Sequence, residues 1–121
     1  MLLNHVNISC NDADAMAEFF ERLGCIYRGE RPAFNHYGHW LYDDSGKPVV
    51  HLTQKVHTVR QGSIDHIAFN LTDVDTFRAH LKEEGLPFVE KPNELARITQ
   101  IKLMAPEQVE LEFQFPFIIP Q

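Results

Sequence analysis

Cysteine is scarce in this chain of 121 residues. The two present, Cys10 and Cys25, stand in no CxxC or metal-ligand spacing, so they read as small hydrophobes or chance surface thiols. Basic residues are few as well: 11 Lys and Arg against 17 Asp and Glu give a net charge of -6. An acidic chain without a basic stripe is a poor ligand for a phosphate backbone, which argues against nucleic-acid binding. No apolar run approaches the roughly 20 residues of a membrane span. The start, Met1-Leu2-Leu3-Asn4-His5, lacks a charged region followed by a signal-type apolar stretch, and the expected location is cytoplasmic. What remains is a composition that is 44% hydrophobic and 23% charged. That is the balance of one ordinary globular domain, able to bury a core without disulfides.

Histidine is the residue in excess, with seven copies, and a repeat arranges them. Under a shift of 61 residues, Leu3–Ile8 (LNHVNI) falls on Ile64–Phe69 (IDHIAF), Asp12 on Asp73, Asp14 on Asp75 and Gly24 on Gly85. Continued without a gap, Lys47–Leu52 (KPVVHL) falls on Gln108–Phe113 (QVELEF), and Arg97 repeats His36. Each half is too short to be comfortable alone, so the two together make one domain. The expected organisation is one repeat over about 1–54, another over about 63–116, and a polar linker, 55–62.

Leu2–Cys10 alternates as a half-buried strand. Asp12 can cap a helix whose apolar positions are Ala13, Met16, Ala17, Phe20 and Leu23, ending at Gly24. Strands are expected near Cys25–Arg28, Tyr37–Tyr42 and Pro48–Gln54, the last two joined at Asp43-Asp44-Ser45-Gly46. The second half repeats the order: strand Ile64–Leu71, a helix from Val74 behind Asp73 to Gly85, then strands near Phe88-Val89, Ile98–Met104 and Val109–Phe115. Pro116 stops the last strand, and an apolar tail follows. The fold class is α+β, two tandem βαβββ units forming a curved mixed sheet around a cleft.

The same shift superposes His5 on His66 and His51 on Glu112. Strand parity puts all four on the polar face: His5 with Asn7 and Ser9, His66 with Ala68 and Asn70, His51 with Thr53, Glu112 with Glu110 and Gln114. Imidazole nitrogens and a carboxylate converging from rigid strands suit one divalent ion, Zn, Ni, Co, Mn or Fe, and suit calcium poorly. His36, Tyr37, His39, Trp40 and Tyr42 cluster around the third strand. His36, Tyr37, His39 and Trp40, together with Arg97, are the candidate substrate contacts. His57 in the linker and His80 on the second helix read as surface residues.

The segments LNHVNI, DHIAF, PVVHL and VELEF resemble the vicinal oxygen chelate superfamily, and the likeness runs from His5 to Phe115. That superfamily includes glyoxalase I, methylmalonyl-CoA epimerase, extradiol dioxygenases, fosfomycin-resistance thiol transferases and bleomycin-resistance proteins. The resemblance implies metal ligands on the first and fourth strands of each unit: His5, His51, His66 and Glu112. Its closing strand reads Asp-Pro-x-Gly, three residues, then Glu. Ala105-Pro106-Glu107-Gln108 stands here instead, and counting from Pro106 gives Glu112, with Glu110 as the fallback.

The resemblance also implies the chemistry. The expected function is a glyoxalase-like lyase or isomerase acting through metal-stabilised enolate chemistry on a small oxygenated molecule, with Glu112 and His51 as catalytic candidates. The first alternative is an Fe(II) extradiol-type dioxygenase with His5, His66 and Glu112 as the triad and His51 beside it. A fosfomycin-type thiol transferase has only Arg97 and Lys102 as nearby cations. A non-catalytic, bleomycin-resistance-like binding protein is the alternative outside enzymes. Superfamily units of this kind close against a second chain, so a homodimer is expected.

Overall fold

The computed structural model describes residues 3–56 and 66–117. The elements run β1 (Val6–Cys10), α1 (Ala13–Arg22), β2 (Tyr27–Gly29), β3 (Gly38–Tyr42), β4 (Pro48–Gln54), β5 (Ile67–Asn70), α2 (Val74–Glu84), β6 (Val89–Asn93), β7 (Ile98–Ala105) and β8 (Val109–Pro116). This is βαβββ twice. The chain divides into two compact units, Met1–Val59 and Arg60–Gln121. Each holds one four-stranded mixed sheet, in the order β1-β4-β3-β2 or β5-β8-β7-β6. In both, the first strand runs parallel to the fourth and the hairpin strands are antiparallel.

The helices start alike because the repeat preserved their caps. Asp12 accepts a hydrogen bond from Ala15 N at 3.0 Å, and Asp73 accepts one from Thr76 N at 3.1 Å. Each satisfies a backbone donor that the first helical turn leaves open. Both helices stop before a left-handed glycine, Gly24 (φ 81°) and Gly85 (φ 68°). In α1, Ala13, Met16, Ala17 and Phe20 are buried, at helical spacing. They share the core of the first unit with Ile8, Cys10, Leu41, Val50 and Leu52. In the second unit Phe77 packs 4.7 Å from Phe113 and 5.7 Å from Phe115, ring centre to ring centre. Leu81, Ile101, Leu103 and Leu111 are buried in the same unit.

Several strand ends differ from expectation. β1 begins at Val6 and β5 at Ile67, so His5 and His66 each stand one residue ahead of a strand. β2 is Tyr27–Gly29 and β6 is Val89–Asn93, both later than their apolar content suggested. β6 carries Pro92 and lies at the sheet edge, where a missing N–H is tolerated. β8 stops at Pro116 as expected. Leu2, Ile64, Asp65, His57 with most of the linker, and the tail from Ile118 lie outside the described residues.

The hairpins differ by one residue. Trp40 pairs with His51, eleven positions on, whereas Lys102 pairs with Glu112, ten positions on. The extra residue is taken up by a register shift at Leu41/Tyr42, which leaves Val49 unpaired between Val50 and Pro48. A gap-free shift therefore holds for β4 and β8 and slips by one for β3 and β7. Trp40 matches Lys102, and Arg97 does not match His36.

Candidate functional site

Alternation survives on the candidate strands. Val50 and Leu52 are buried, with His51 half-buried between them on the other face. Leu111 and Phe113 are buried, and so is Glu112, a carboxylate only 3% exposed although it points away from the helix-side core. In each unit the two expected ligands meet. His66 Nε2 lies 3.0 Å from Glu112 Oε2. His5 stacks on His51 with ring centres 3.9 Å apart and planes 13° apart. Neither unit, among its described residues, gathers three or more His, Cys, Asp or Glu side chains into a metal-binding group.

The expected ligands differ in what their polar atoms meet. Glu112 Oε1 is buried and has no hydrogen-bond partner among the described residues. A carboxylate oxygen in that state is costly unless a proton or a cation meets it. His51 Nε2 lies 3.0 Å from the Pro48 carbonyl, and His5 Nδ1 lies 2.7 Å from Asn4 Oδ1. Each of the two rings thus engages one nitrogen and keeps the other. Burial, with smaller contributions from His5 and Arg31 and against the raising effect of the Pro48 carbonyl, holds the His51 imidazole below its ordinary pKa, which favours the neutral ring. A neutral imidazole is the metal-binding form.

The proposed substrate contacts separate. Trp40 shares the face of His51 and stacks on it, ring centres 4.2 Å apart and planes 10° apart. Phe34 continues the row 6.0 Å from Trp40. His39 alternates to the helix side. Its Nε2 lies 2.7 Å from Asp14 Oδ1, and the Tyr37 hydroxyl donates to the same oxygen at 2.6 Å. Both are engaged with α1, away from Trp40 and His51. His36 is exposed ahead of β3, and its carbonyl accepts from Arg31 Nη2 at 2.9 Å. Arg97 occupies the turn before β7 at φ 56°, over the Phe117 ring. It is five residues from Lys102, the partner of Glu112, or about 16 Å along an extended strand, beyond an arginine's reach. Glu110 pairs with Met104, two residues from Glu112 on the same face.

A scan against protein-family models matches residues 4–103 to the Glyoxalase/Bleomycin resistance protein/Dioxygenase superfamily. The chain belongs to this superfamily. Solved structures share the architecture. A putative glyoxalase family protein from Bacillus anthracis matches with TM-score 0.77 and 16% identity, over 96% of this chain and 95% of that one. A glyoxalase/bleomycin resistance protein/dioxygenase from Alicyclobacillus acidocaldarius gives 0.69 and 22%, over 94% and 90%. A mutant of the fosfomycin resistance protein FosX from Listeria monocytogenes, complexed with Mn(II) and 1S,2S-dihydroxypropylphosphonic acid, gives 0.74 and 13%, over 96% and 92%. At these identities the likeness establishes the fold. No curated protein matches the chain.

Superfamily motifs pointed to the four expected ligands but not to all their neighbours. Arg31 was missed: its guanidinium lies 4.9 Å over the Phe34 ring, and its Nε is buried without a hydrogen-bond partner among the described residues. Nothing in Gly29-Glu30-Arg31-Pro32 announces that place. Lys102 stands directly across from Glu112, and alternation with the buried Ile101 and Leu103 was the signal that put it there. Burial, with a smaller contribution from Asp44, pushes the Cys25 thiol up to about 11, away from the nucleophilic thiolate. No helix among the described residues is long and apolar enough to cross a membrane.

Proposed function

We propose that the protein is a metal-dependent enzyme of the lyase or isomerase kind, with His5, His51, His66 and Glu112 as the donor set for a divalent ion. The observation that carries this reading is the Glu112 carboxylate, buried with Oε2 against His66 and Oε1 unpartnered. Nitrogen and carboxylate donors suit Zn, Ni, Co, Mn or Fe(II), and the Mn(II) in the FosX complex is in keeping with that range. A bound ion supplies Lewis-acid polarisation of a substrate oxygen.

The protein's own groups then do the proton work. Glu112 offers an oxygen without a hydrogen bond, able to take a proton from carbon beside a carbonyl and return it to a neighbouring atom. His51, half-buried and with its pKa held down by burial, is the second candidate. Such a transfer is redox-neutral and needs no co-substrate. The substrate class is a small molecule with adjacent oxygens, and the protein acts as a homodimer in the cytoplasm.

The test is proton exchange in deuterated buffer. Metal-loaded protein is given thiol adducts of 2-oxoaldehydes and, separately, acyl-CoA esters, and carbon-bound deuterium is followed by NMR. Exchange that vanishes in Glu112→Gln is expected. Ring-opened products from catechols under Fe(II) and O2, without exchange, would overturn the reading in favour of a dioxygenase. Ligand binding without turnover of any of these would overturn it in favour of a binding protein.

A further inference from the structure

We infer that Trp40 is a positioning residue which clamps His51 so that His51 meets a cation through Nδ1. The inference rests on the metal-centred reading above and names the atom and the device within it.

Trp40 and His51 are direct partners across β3 and β4, so their side chains rise from the sheet side by side. The indole covers one face of the imidazole at 4.2 Å, and His5 covers the other at 3.9 Å. A ring held between two parallel planes cannot turn about Cβ–Cγ without driving an edge into one of them. Its orientation is therefore fixed. In that orientation Nε2 faces the Pro48 carbonyl at 3.0 Å. A carbonyl oxygen only accepts, so the ring proton is on Nε2, and a neutral imidazole then has its lone pair on Nδ1. Engagement of one ring nitrogen by a backbone carbonyl is the usual support of a metal-ligating histidine.

The stack also distinguishes the two histidines. Lone pairs lying in planes 13° apart run almost parallel and do not converge on one point. One ring must turn for both to reach the same ion. His51 is held by the indole on one face and by the Pro48 carbonyl at Nε2, neither of which depends on His5, whereas His5 is exposed and precedes β1. His5 is the ring that turns, and His51 is the fixed donor. Trp40 thus acts through His51.

Long-range 1H–15N spectra of the metal-free wild-type protein read the tautomer directly. Nδ1 of His51 should appear as the unprotonated nitrogen, and zinc should move that signal. Zinc affinity should fall about 10–100-fold in Trp40→Leu, the usual loss when a ligand's support is removed, and should be retained in Trp40→Phe, which keeps a flat ring. Trp40 is the one tryptophan of the sequence, so its fluorescence reports the stack alone and should be quenched by Co(II). A protonated Nδ1 in wild-type protein that still binds zinc would overturn this inference and leave the metal-centred reading standing. Wild-type affinity in a folded Trp40→Leu protein would do the same. Failure of the wild-type protein to bind zinc at all would overturn both. The tautomer measurement decides the matter even if Trp40→Leu does not fold.

Discussion

Glu112 Oε2 lies 3.0 Å from His66 Nε2, and the residues one repeat earlier, His51 and His5, also touch, with ring centres 3.9 Å apart. The same two positions meet in both units, through an imidazole–carboxylate contact in one and a ring stack in the other. Parallel pairing of the first strand with the fourth produces this in each case. Glu112 differs from the others in being a buried carboxylate with an unpartnered oxygen.

Glu112→Gln separates binding from folding. The amide keeps the shape and the acceptor toward His66 but removes the charge. Metal affinity should fall by about 100-fold or more. Stability of the metal-free protein should hold or rise by about 1 kcal/mol, because a buried carboxylate with one unpartnered oxygen is gone. Calorimetric titration and urea unfolding check the two halves of the expectation. A large loss of metal-free stability would show that the charge holds the fold.

Gly38 pairs with Thr53, two residues before Trp40 pairs with His51. A Cβ at this position would overlap the Leu52 carbonyl. That backbone cannot give way without moving β4, so Gly38→Ala should cost about 2–3 kcal/mol and shift the Trp40 emission. Denaturant midpoints read the first and fluorescence the second. A neutral substitution would contradict the stated packing.

Gln108 has φ 63° and its neighbour Glu107 φ 60°, in the turn where the superfamily pattern carries glycine. A side chain in this region costs roughly 1–2 kcal/mol, partly offset by the entropy a glycine loses on folding. Gln108→Gly should therefore stabilise the protein by about 0.5–1 kcal/mol, read as a higher Tm. A lower Tm would mean that the side chain has a role the turn geometry does not reveal.

Asp14 links α1 to the β3 segment through Tyr37 and His39, whose hydrogen bonds hold its carboxyl below the ordinary carboxylate value. A depressed folded pKa gives a contribution fully present above the unfolded value, about 3.9. It is lost as pH falls through the folded pKa. Wild-type Tm should thus drop more steeply below about pH 4 than that of Asp14→Asn. Parallel pH profiles would show that the contact adds nothing.

Much of this was legible in the residues. Asp12 and Asp73, Gly24 and Gly85 announced two helices with the same caps, and alternation announced which face each of β4 and β8 turns inward. His39 was not legible. Its side depends on register across the first hairpin, and the unpaired Val49 changes that register with no signal beyond one extra residue. His39 and Tyr37 therefore sit with Asp14, and Trp40 alone of the cluster joins His51. Arg97 was misplaced for the same reason, through a repeat carried across a hairpin of different length. Burial of Glu112 was not legible either, because a polar face read from alternation says nothing about what covers it.

Elemental analysis of untagged protein, purified without chelator and under anaerobic conditions, tests the central claim most directly. About one Zn, Ni, Co, Mn or Fe per chain is expected, absent from Glu112→Gln and from His66→Ala. A wild-type protein that carries no metal and takes none up on reconstitution would contradict the account.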